Sequence, residues 1–309
     1  MRRTGPDLSR RAFVASLAGL GAAAALGTGA AAARPMLKKA IPATGEQVPA
    51  IGMGSWITFN VGGDRALRDQ RAEVLQAFFD SGGGMVDSSP MYGSSEDVIG
   101  YCLKRIANRG SLFSATKVWT PLQAFGIGQM EESRRLWGLD RFDLMQIHNL
   151  LNWEGHLDTL RDEKAQGRIR HIGITTSHGR RHDDLERLMA DRSLDFVQFT
   201  YNILDREAER RLLPLAAERG LAVIVNRPFR RGELFRLVER HALPEWAGEI
   251  DCANWAQFFL KFIVSHPAVT CAIPATSRVD HMRENMGALH GRLPDRETRE
   301  RMIRAVESL

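Results

Sequence analysis

Asp87, Tyr92, Lys117 and His148 are four side chains whose types, taken together, suit one reaction. A phenol ordinarily ionises at about pH 10, too high for acid–base work at neutral pH. A lysine ammonium beside it favours the phenolate, and an aspartate keeps that lysine charged and in place. A histidine next to the phenol can donate a hydrogen bond that orients a carbonyl oxygen. Such a set suits protonation of an oxygen as hydride arrives at the adjacent carbon. Singly, each residue has a plainer explanation. Pro90 and Gly93 punctuate a surface loop over which Tyr92 would pack, a strand-end lysine is commonly a solvated charge, and a lone histidine commonly satisfies a backbone group. The joint reading therefore needs a fold that gathers the four.

The hydrophobic pattern supplies one. After residue 36, LKKAIPATGEQVPAIGMGSW predicts a hairpin turning at Thr44 and Gly45. Eight strand-like runs follow: GMG, MVD, LFSATK, FDLMQIH, IRHIGIT, FVQF, AVIVN and VTCAIPA. Helical periodicity covers 66–80, 96–108, 127–137, 157–166, 183–191, 207–219 and 253–265. Strands alternating with helices predict parallel β/α units, and eight of them an α/β fold, a (β/α)8 TIM barrel with a short N-terminal β-hairpin. An open doubly wound sheet would carry a glycine fingerprint between its first strand and a helix, whereas GMGSW is not followed by a helix. In a barrel the active site gathers at the C-terminal ends of the strands. Asp87 ends the second run, Lys117 the third and His148 the fourth, and Tyr92 follows in the loop after the second.

Composition narrows the alternatives. The 309 residues are 44% hydrophobic and 26% charged, which suits a globular chain. The net charge of +5 invites a nucleic-acid reading, but the first 33 residues hold four arginines and one aspartate, leaving only +2 for the rest. No dense basic stripe with interleaved aromatics appears, so no nucleic-acid partner is expected. Cys102, Cys252 and Cys271 form no disulfide framework and have no metal-ligand spacing. His178 and His182 stand at i,i+4 with Gly-Arg-Arg between them, a poor metal site, and no metal is expected.

Residues 1–33 read as a targeting segment: a basic start, an Ala/Gly/Leu stretch, and Ala31-x-Ala33 as a cleavage site. Arg10 and Arg11, preceded by Ser9 and followed by Ala12-Phe13-Val14, resemble the twin-arginine export signal of bacteria. The expected division is a signal peptide at 1–33 and a barrel at 34–309, with a periplasmic mature protein and the twin-arginine export machinery as partner. No stable membrane span is expected after cleavage; the alternative is a chain anchored by the uncleaved segment.

Four segments carry a wider resemblance: VDSSPMYGSSE, SATKVW around Lys117, DLMQIHN around His148, and IPATSRVDHMREN near the end. On these, the chain resembles the aldo-keto reductase family over nearly all of residues 36–309. The resemblance implies a (β/α)8 barrel that interconverts carbonyls and alcohols with NADP(H). It makes Tyr92 the general acid, Lys117 its pKa depressor, Asp87 the partner of that lysine, and His148 the group orienting the carbonyl. For the cofactor it implies Ser55, Thr175, Thr176, Gln198 at the nicotinamide amide, Asn226 and Arg227, then Thr276, Ser277 and Arg278 at phosphate, with Glu284 and Asn285 at the adenine. The turn holding Thr276 to Arg278 precedes a helix start, a place suited to phosphate.

The sequence departs from the family at three places. Thr175 and Thr176 stand where Ser-Asn is usual, Asn226 where an aromatic commonly stacks on the nicotinamide, and His281 where many members carry arginine. Arg278 is then the main basic partner for a 2′-phosphate, and NAD(H) is not excluded. Trp56, Trp119 and Trp153, expected in loops after the first, third and fourth strands, could wall an apolar substrate pocket. The reading is an exported NADP(H)-dependent oxidoreductase acting on a small-molecule carbonyl or alcohol. Its rival is a non-catalytic NADP(H)-binding barrel serving as a structural or regulatory module of an exported complex. Because a nucleotide pool is not expected outside the cytoplasm, the arginines of 226–232 are expected to clamp the pyrophosphate of a retained cofactor.

Overall fold

The computed structural model describes residues 35–191 and 193–309. The expected signal peptide, with its Arg10–Arg11 pair and cleavage site, lies outside the described residues.

Among the described residues the hairpin comes first. Strands β1 (Lys38–Ala40) and β2 (Gln47–Pro49) pair antiparallel. Their turn is allowed by Gly45, whose φ of 74° a side-chain-free residue adopts without strain, and whose amide bonds Ile41 O at 2.8 Å. Ile41 and Val48 of this hairpin are buried among Met85, Phe113, Leu144, Phe196 and Ile224, so the hairpin plugs one end of the barrel interior.

Eight parallel strands follow: β3 (Met53–Gly54), β4 (Met85–Asp87), β5 (Phe113–Val118), β6 (Phe142–Ile147), β7 (Ile169–Thr175), β8 (Phe196–Thr200), β9 (Ala222–Asn226) and β10 (Cys271–Ala272). Each is hydrogen-bonded to the next in chain order. The ring closes through backbone bonds from Gly52 N to Ala272 O, Ala272 N to Ala50 O and Gly54 N to Pro274 O, at 2.8, 2.9 and 3.1 Å. Glycine is required at this seam, because a Cβ on Gly54 would lie 2.8 Å from Ile273 O.

The outer layer comprises α1 (Arg65–Asp80), α2 (Ser95–Leu103), α3 (Gln123–Trp137), α4 (Trp153–Ala165), α5 (His182–Leu188), α6 (Leu212–Arg219), α7 (Glu233–Val238), α8 (Trp255–Val264), α9 (Val279–Gly287) and α10 (Arg296–Glu307). Capping sets several of their ends. Asp64, Asn254 and Asp295 accept from first-turn amides of α1, α8 and α10, and left-handed Gly138 and Gly220 end α3 and α6. The main core lies between helices and strands, with Trp137, Phe78, Phe142, Phe199 and Phe262 among its largest members.

Several expected boundaries move. The helix expected over 96–108 stops at Leu103, where the Arg105 amide bonds Cys102 O three residues back and Tyr101 O accepts from the Arg105 guanidinium instead. The stretch 207–219 is a 3-10 turn at Glu207–Glu209 followed by α6. Trp153 begins α4 and is not a loop residue, and α7 was not expected at all.

Candidate active site

Strand register brings the four residues to one end of the barrel. Asp87 is the last residue of β4 and pairs with Gly54 and Ala115; Lys117 on β5 pairs with Gln146 on β6. His148 follows β6 directly, and Tyr92 ends a 3-10 turn, Pro90–Tyr92, just beyond β4. That turn is built locally. Pro90 pre-sets its first φ, Ser89 caps it through the Met91 amide, and Gly93 leaves it at φ 63°. From the neighbouring loop Asn60 accepts from Ser94 N at 3.0 Å and braces the exit.

At the centre is a buried ion pair. Lys117, wholly buried, donates to Asp87 Oδ2 at 2.5 Å and to Ser88 O at 2.7 Å, and its ammonium lies 5.3 Å from the centre of the Tyr92 ring. The other carboxylate oxygen, Oδ1, accepts from Gln146 Nε2 at 2.9 Å and Gln198 Nε2 at 3.1 Å. Gln146 has room to reach inward because its neighbour on β7 is Gly173, where a Cβ would lie 2.9 Å from Gln146 Cγ. Burial alone would lower the Lys117 pKa, but Asp87 and Tyr92 outweigh it and hold the ammonium above the ordinary lysine range.

The phenol behaves differently from the sequence-based expectation. Burial pushes the Tyr92 pKa above its usual value; Lys117 pulls it down without reversing the shift, and Asp87 adds to the rise. Tyr92 therefore keeps its proton at neutral pH, and Lys117 moderates the rise rather than producing a phenolate. His148 stands edge-on to the phenol, with ring centroids 5.6 Å apart and planes at 85°. Burial, then the Lys117 charge, depress its pKa to about 3, so the imidazole is neutral.

The remaining sequence-predicted residues separate into groups. Ser55 donates to the backbone oxygen of Asp87 at 2.9 Å, and Thr175 Oγ1 accepts from Asn149 N at 3.0 Å, steadying the turn after His148. Thr176 Oγ1 is buried with no partner. Gln198, expected at a nicotinamide amide, is engaged within the protein: it donates to Asp87 and its Oε1 lies 3.4 Å from Asn226 Nδ2. Asn226 also donates to Thr176 O at 2.8 Å and accepts from Thr200 Oγ1 at 2.7 Å, so this position holds a polar clasp.

The arginine loop after β9 reaches across the mouth. Arg227 contacts His178 Nε2 at 2.5 Å, Arg230 pairs with Asp205 at 3.1 Å, and Arg231 lies 4.3 Å over the Trp56 ring. All three arginines have positive φ, between 46° and 59°. Beyond β10, Thr276 Oγ1 accepts from Arg278 N at 3.1 Å, and Ser277 O accepts from Arg71 at 3.3 Å. Arg278 is paired with Asp280 rather than free. Glu284 is exposed while Asn285 is buried, so α9 turns the two toward different surroundings.

Of the three tryptophans, Trp56 and Trp119 stand at the rim. Trp119 is 40% exposed, its backbone clamped by Gln129 at 2.5 and 2.9 Å. Trp153 packs against the outer core instead. Among the described residues no group of three or more His, Cys, Asp or Glu comes together as a metal site, and no helix is long and apolar enough to cross a membrane.

Gln146 and Ser89 escaped the sequence reading. Leu144 and Gln146 share one face of β6, and a glutamine on an inward-facing apolar face is the available signal for the first. Ser89 hides in a turn motif whose serines all resemble caps.

Fold and site together define a parallel (β/α)8 barrel with a buried ammonium–carboxylate pair, a phenol and a neutral imidazole at the C-terminal mouth. A profile of the aldo/keto reductase family matches residues 50–301, and the chain belongs to that family. It is 26% identical to aldo-keto reductase YhdN of Bacillus subtilis over 206 residues, covering 62% of this chain and 61% of that one. The chain thus spans about three fifths of that relative's length. It is 25% identical to the NADH-specific methylglyoxal reductase of Escherichia coli, covering 63% of this chain and 68% of that protein. An aldo-keto reductase from Klebsiella pneumoniae solved with NADPH superposes with a TM-score of 0.73 at 24% identity, covering 88% and 96% of the two chains.

Proposed function

We propose that this chain is an NADP(H)-dependent oxidoreductase that interconverts aldehydes or ketones and alcohols. The observation carrying the proposal is the Asp87–Lys117–Tyr92 array with His148 beside the phenol. In the reducing direction Tyr92, protonated at neutral pH, gives its proton to the carbonyl oxygen. Lys117 steadies the negative charge that develops on the phenol oxygen, and Asp87, held by Gln146 and Gln198, keeps Lys117 charged. His148 is neutral and donates a hydrogen bond that aims the carbonyl at Tyr92. In the oxidising direction the same oxygen takes the proton back.

The residues present fit a nicotinamide cofactor. Thr176 Oγ1, buried and unpartnered, is a ready hydrogen-bonding atom for an amide at the mouth. Thr176 and Asn226 would hold the nicotinamide end, Arg227 and Arg231 the pyrophosphate, and Thr276, Ser277, Arg278 and Asn285 the adenosine end. When bound, NADP(H) supplies or accepts the hydride. Both the NADPH complex of the Klebsiella protein and the NADH-specific Escherichia coli relative bear on the preference. Arg278 favours NADP(H), its pairing with Asp280 tempers that preference, and NAD(H) stays within the proposal.

Trp56 and Trp119 at the rim, with exposed Met91 and Leu122 in the segments after β4 and β5 and exposed Phe125 in the first turn of α3, support a small-molecule carbonyl with an apolar body. For residues 1–33, the Arg10–Arg11 pair and the Ala31-x-Ala33 site support export by the twin-arginine route, cleavage, and a periplasmic barrel of residues 34–309. Replacing both arginines by lysine and fractionating cells tests this; unchanged periplasmic recovery would refute it. The catalytic proposal is tested by following NADPH absorbance with a panel of aldehydes, using the wild-type chain and Tyr92→Phe. Equal rates for the two would remove Tyr92 from its role.

A further inference from the structure

His148 can orient a carbonyl only if its proton sits on the nitrogen that faces the mouth. Two neutral tautomers are open to an imidazole, and the partner of one nitrogen decides between them. Here Nδ1 lies 2.8 Å from Ser89 Oγ, and Ser89 is fully buried. Among the described residues no protein group bonds Nε2, and it is not one of the enclosed unpartnered atoms.

The serine hydroxyl has one hydrogen and two lone pairs. One lone pair is taken by the Met91 amide at 3.2 Å. Were the imidazole proton on Nδ1, it would use the second lone pair, and the buried hydroxyl hydrogen would have no acceptor, a costly arrangement. With Nδ1 as acceptor the hydroxyl hydrogen is satisfied, and Nε2 carries the proton. The backbone reinforces this orientation. Asn149, Leu150 and Asn152 after His148 hold positive φ angles of 54°, 54° and 45°, and Thr175 Oγ1 and Arg181 fix Asn149 from either side.

We infer that Ser89 is a positioning residue that sets the tautomer of His148, fixing the proton on Nε2 and tying the imidazole to the turn that carries Tyr92. The same oxygen caps the Pro90–Tyr92 turn, so acid and orienting group share one anchor. The kinetic part rests on the carbonyl chemistry proposed above; the tautomer itself does not.

Nitrogen-15 NMR of the histidines in the wild-type chain, Ser89→Ala and Ser89→Thr tests the inference. There are nine histidines, so His148 is assigned by the signal lost in His148→Gln. The wild type is expected to show protonated Nε2 and unprotonated Nδ1 from pH 6 to 9, Ser89→Ala a mixture, and Ser89→Thr the wild-type pattern. Carbonyl reduction by Ser89→Ala is expected to fall about tenfold in kcat, with recovery in Ser89→Thr. Protonated Nδ1 in the wild type overturns the proposal whether or not the variants fold, and so does an unchanged Nε2–H pattern in Ser89→Ala. A wild type with the expected tautomer but no reductase activity leaves the inference standing and removes the proposed reaction instead.

Discussion

Replacing Asp87 by asparagine keeps the size of the side chain and removes the charge that holds Lys117. The ammonium is wholly buried, and its remaining protein acceptors would be the amide oxygen and Ser88 O at 2.7 Å. Breaking a buried ion pair by removing one partner typically costs about 3–5 kcal/mol. An upper bound follows from the lysine itself, which can shed its proton instead of staying charged. With an unfolded pKa of about 10.4, that release costs about 1.36 kcal/mol per unit, or about 4.6 kcal/mol at pH 7. At pH 9 the same bound is only about 1.9 kcal/mol. In the wild type the folded pKa of Lys117 is raised, so its contribution is fully present below the unfolded pKa and is lost only as pH rises through the folded one. In Asp87→Asn burial dominates and the folded pKa is depressed, so the variant recovers stability as pH climbs from 7 toward 10. Urea unfolding at pH 7 and 9 measures both effects. The expected deficit relative to wild type is about 3–4.6 kcal/mol at pH 7 and below about 2 kcal/mol at pH 9. A deficit under about 1 kcal/mol at pH 7, or one of equal size at both pH values, would refute this account of the pair.

Tyr92→Phe should lower turnover by about 10²–10⁴-fold while leaving unfolding midpoints nearly unchanged, since only the hydroxyl with its transferable proton is lost and the ring beside Lys117 stays. Because His148 has a folded pKa of about 3 against an ordinary 6.5, its contribution to stability declines as pH falls from 6.5 toward 3. His148→Gln should therefore flatten the acid limb of a stability profile recorded by thermal melts. Arg278→Ala should weaken NADPH more than NADH in fluorescence titrations, and Asp280→Asn, which releases Arg278, should shift the ratio the other way. Gly100→Ala should destabilise by about 3 kcal/mol in urea, because a Cβ there would lie 1.8 Å from Leu136 O on the neighbouring helix.

The barrel was legible because its signals are local. MVD, IRHIGIT and AVIVN were read as strands at their observed limits, and the polar residues that end such apolar runs could be assigned to one face by the barrel rule alone. Helix starts were read late at α3 and α4, where Gln123 and Trp153 precede the first apolar repeat and neither start has a side-chain cap. What stayed hidden was long-range. Nothing near Gln198 in the chain announces that its amide will reach Asp87, 111 residues earlier. The net rise of the Tyr92 pKa was equally out of reach, since it depends on how far burial outweighs a lysine whose presence the sequence does reveal.

The seam between Ala50–Gly54 and Ala272–Pro274 bears on how the molecule comes into being. Every other strand pairs with a neighbour already made, whereas β3 must wait for β10. A nascent chain holding all residues up to the end of α8 at Val264 still has two open sheet edges and lacks the backbone that closes them. Completion of the ring therefore comes only after β10 has been made. It is a contact of high sequence separation, the kind that forms slowly and leaves partly built chains exposed to wrong pairings.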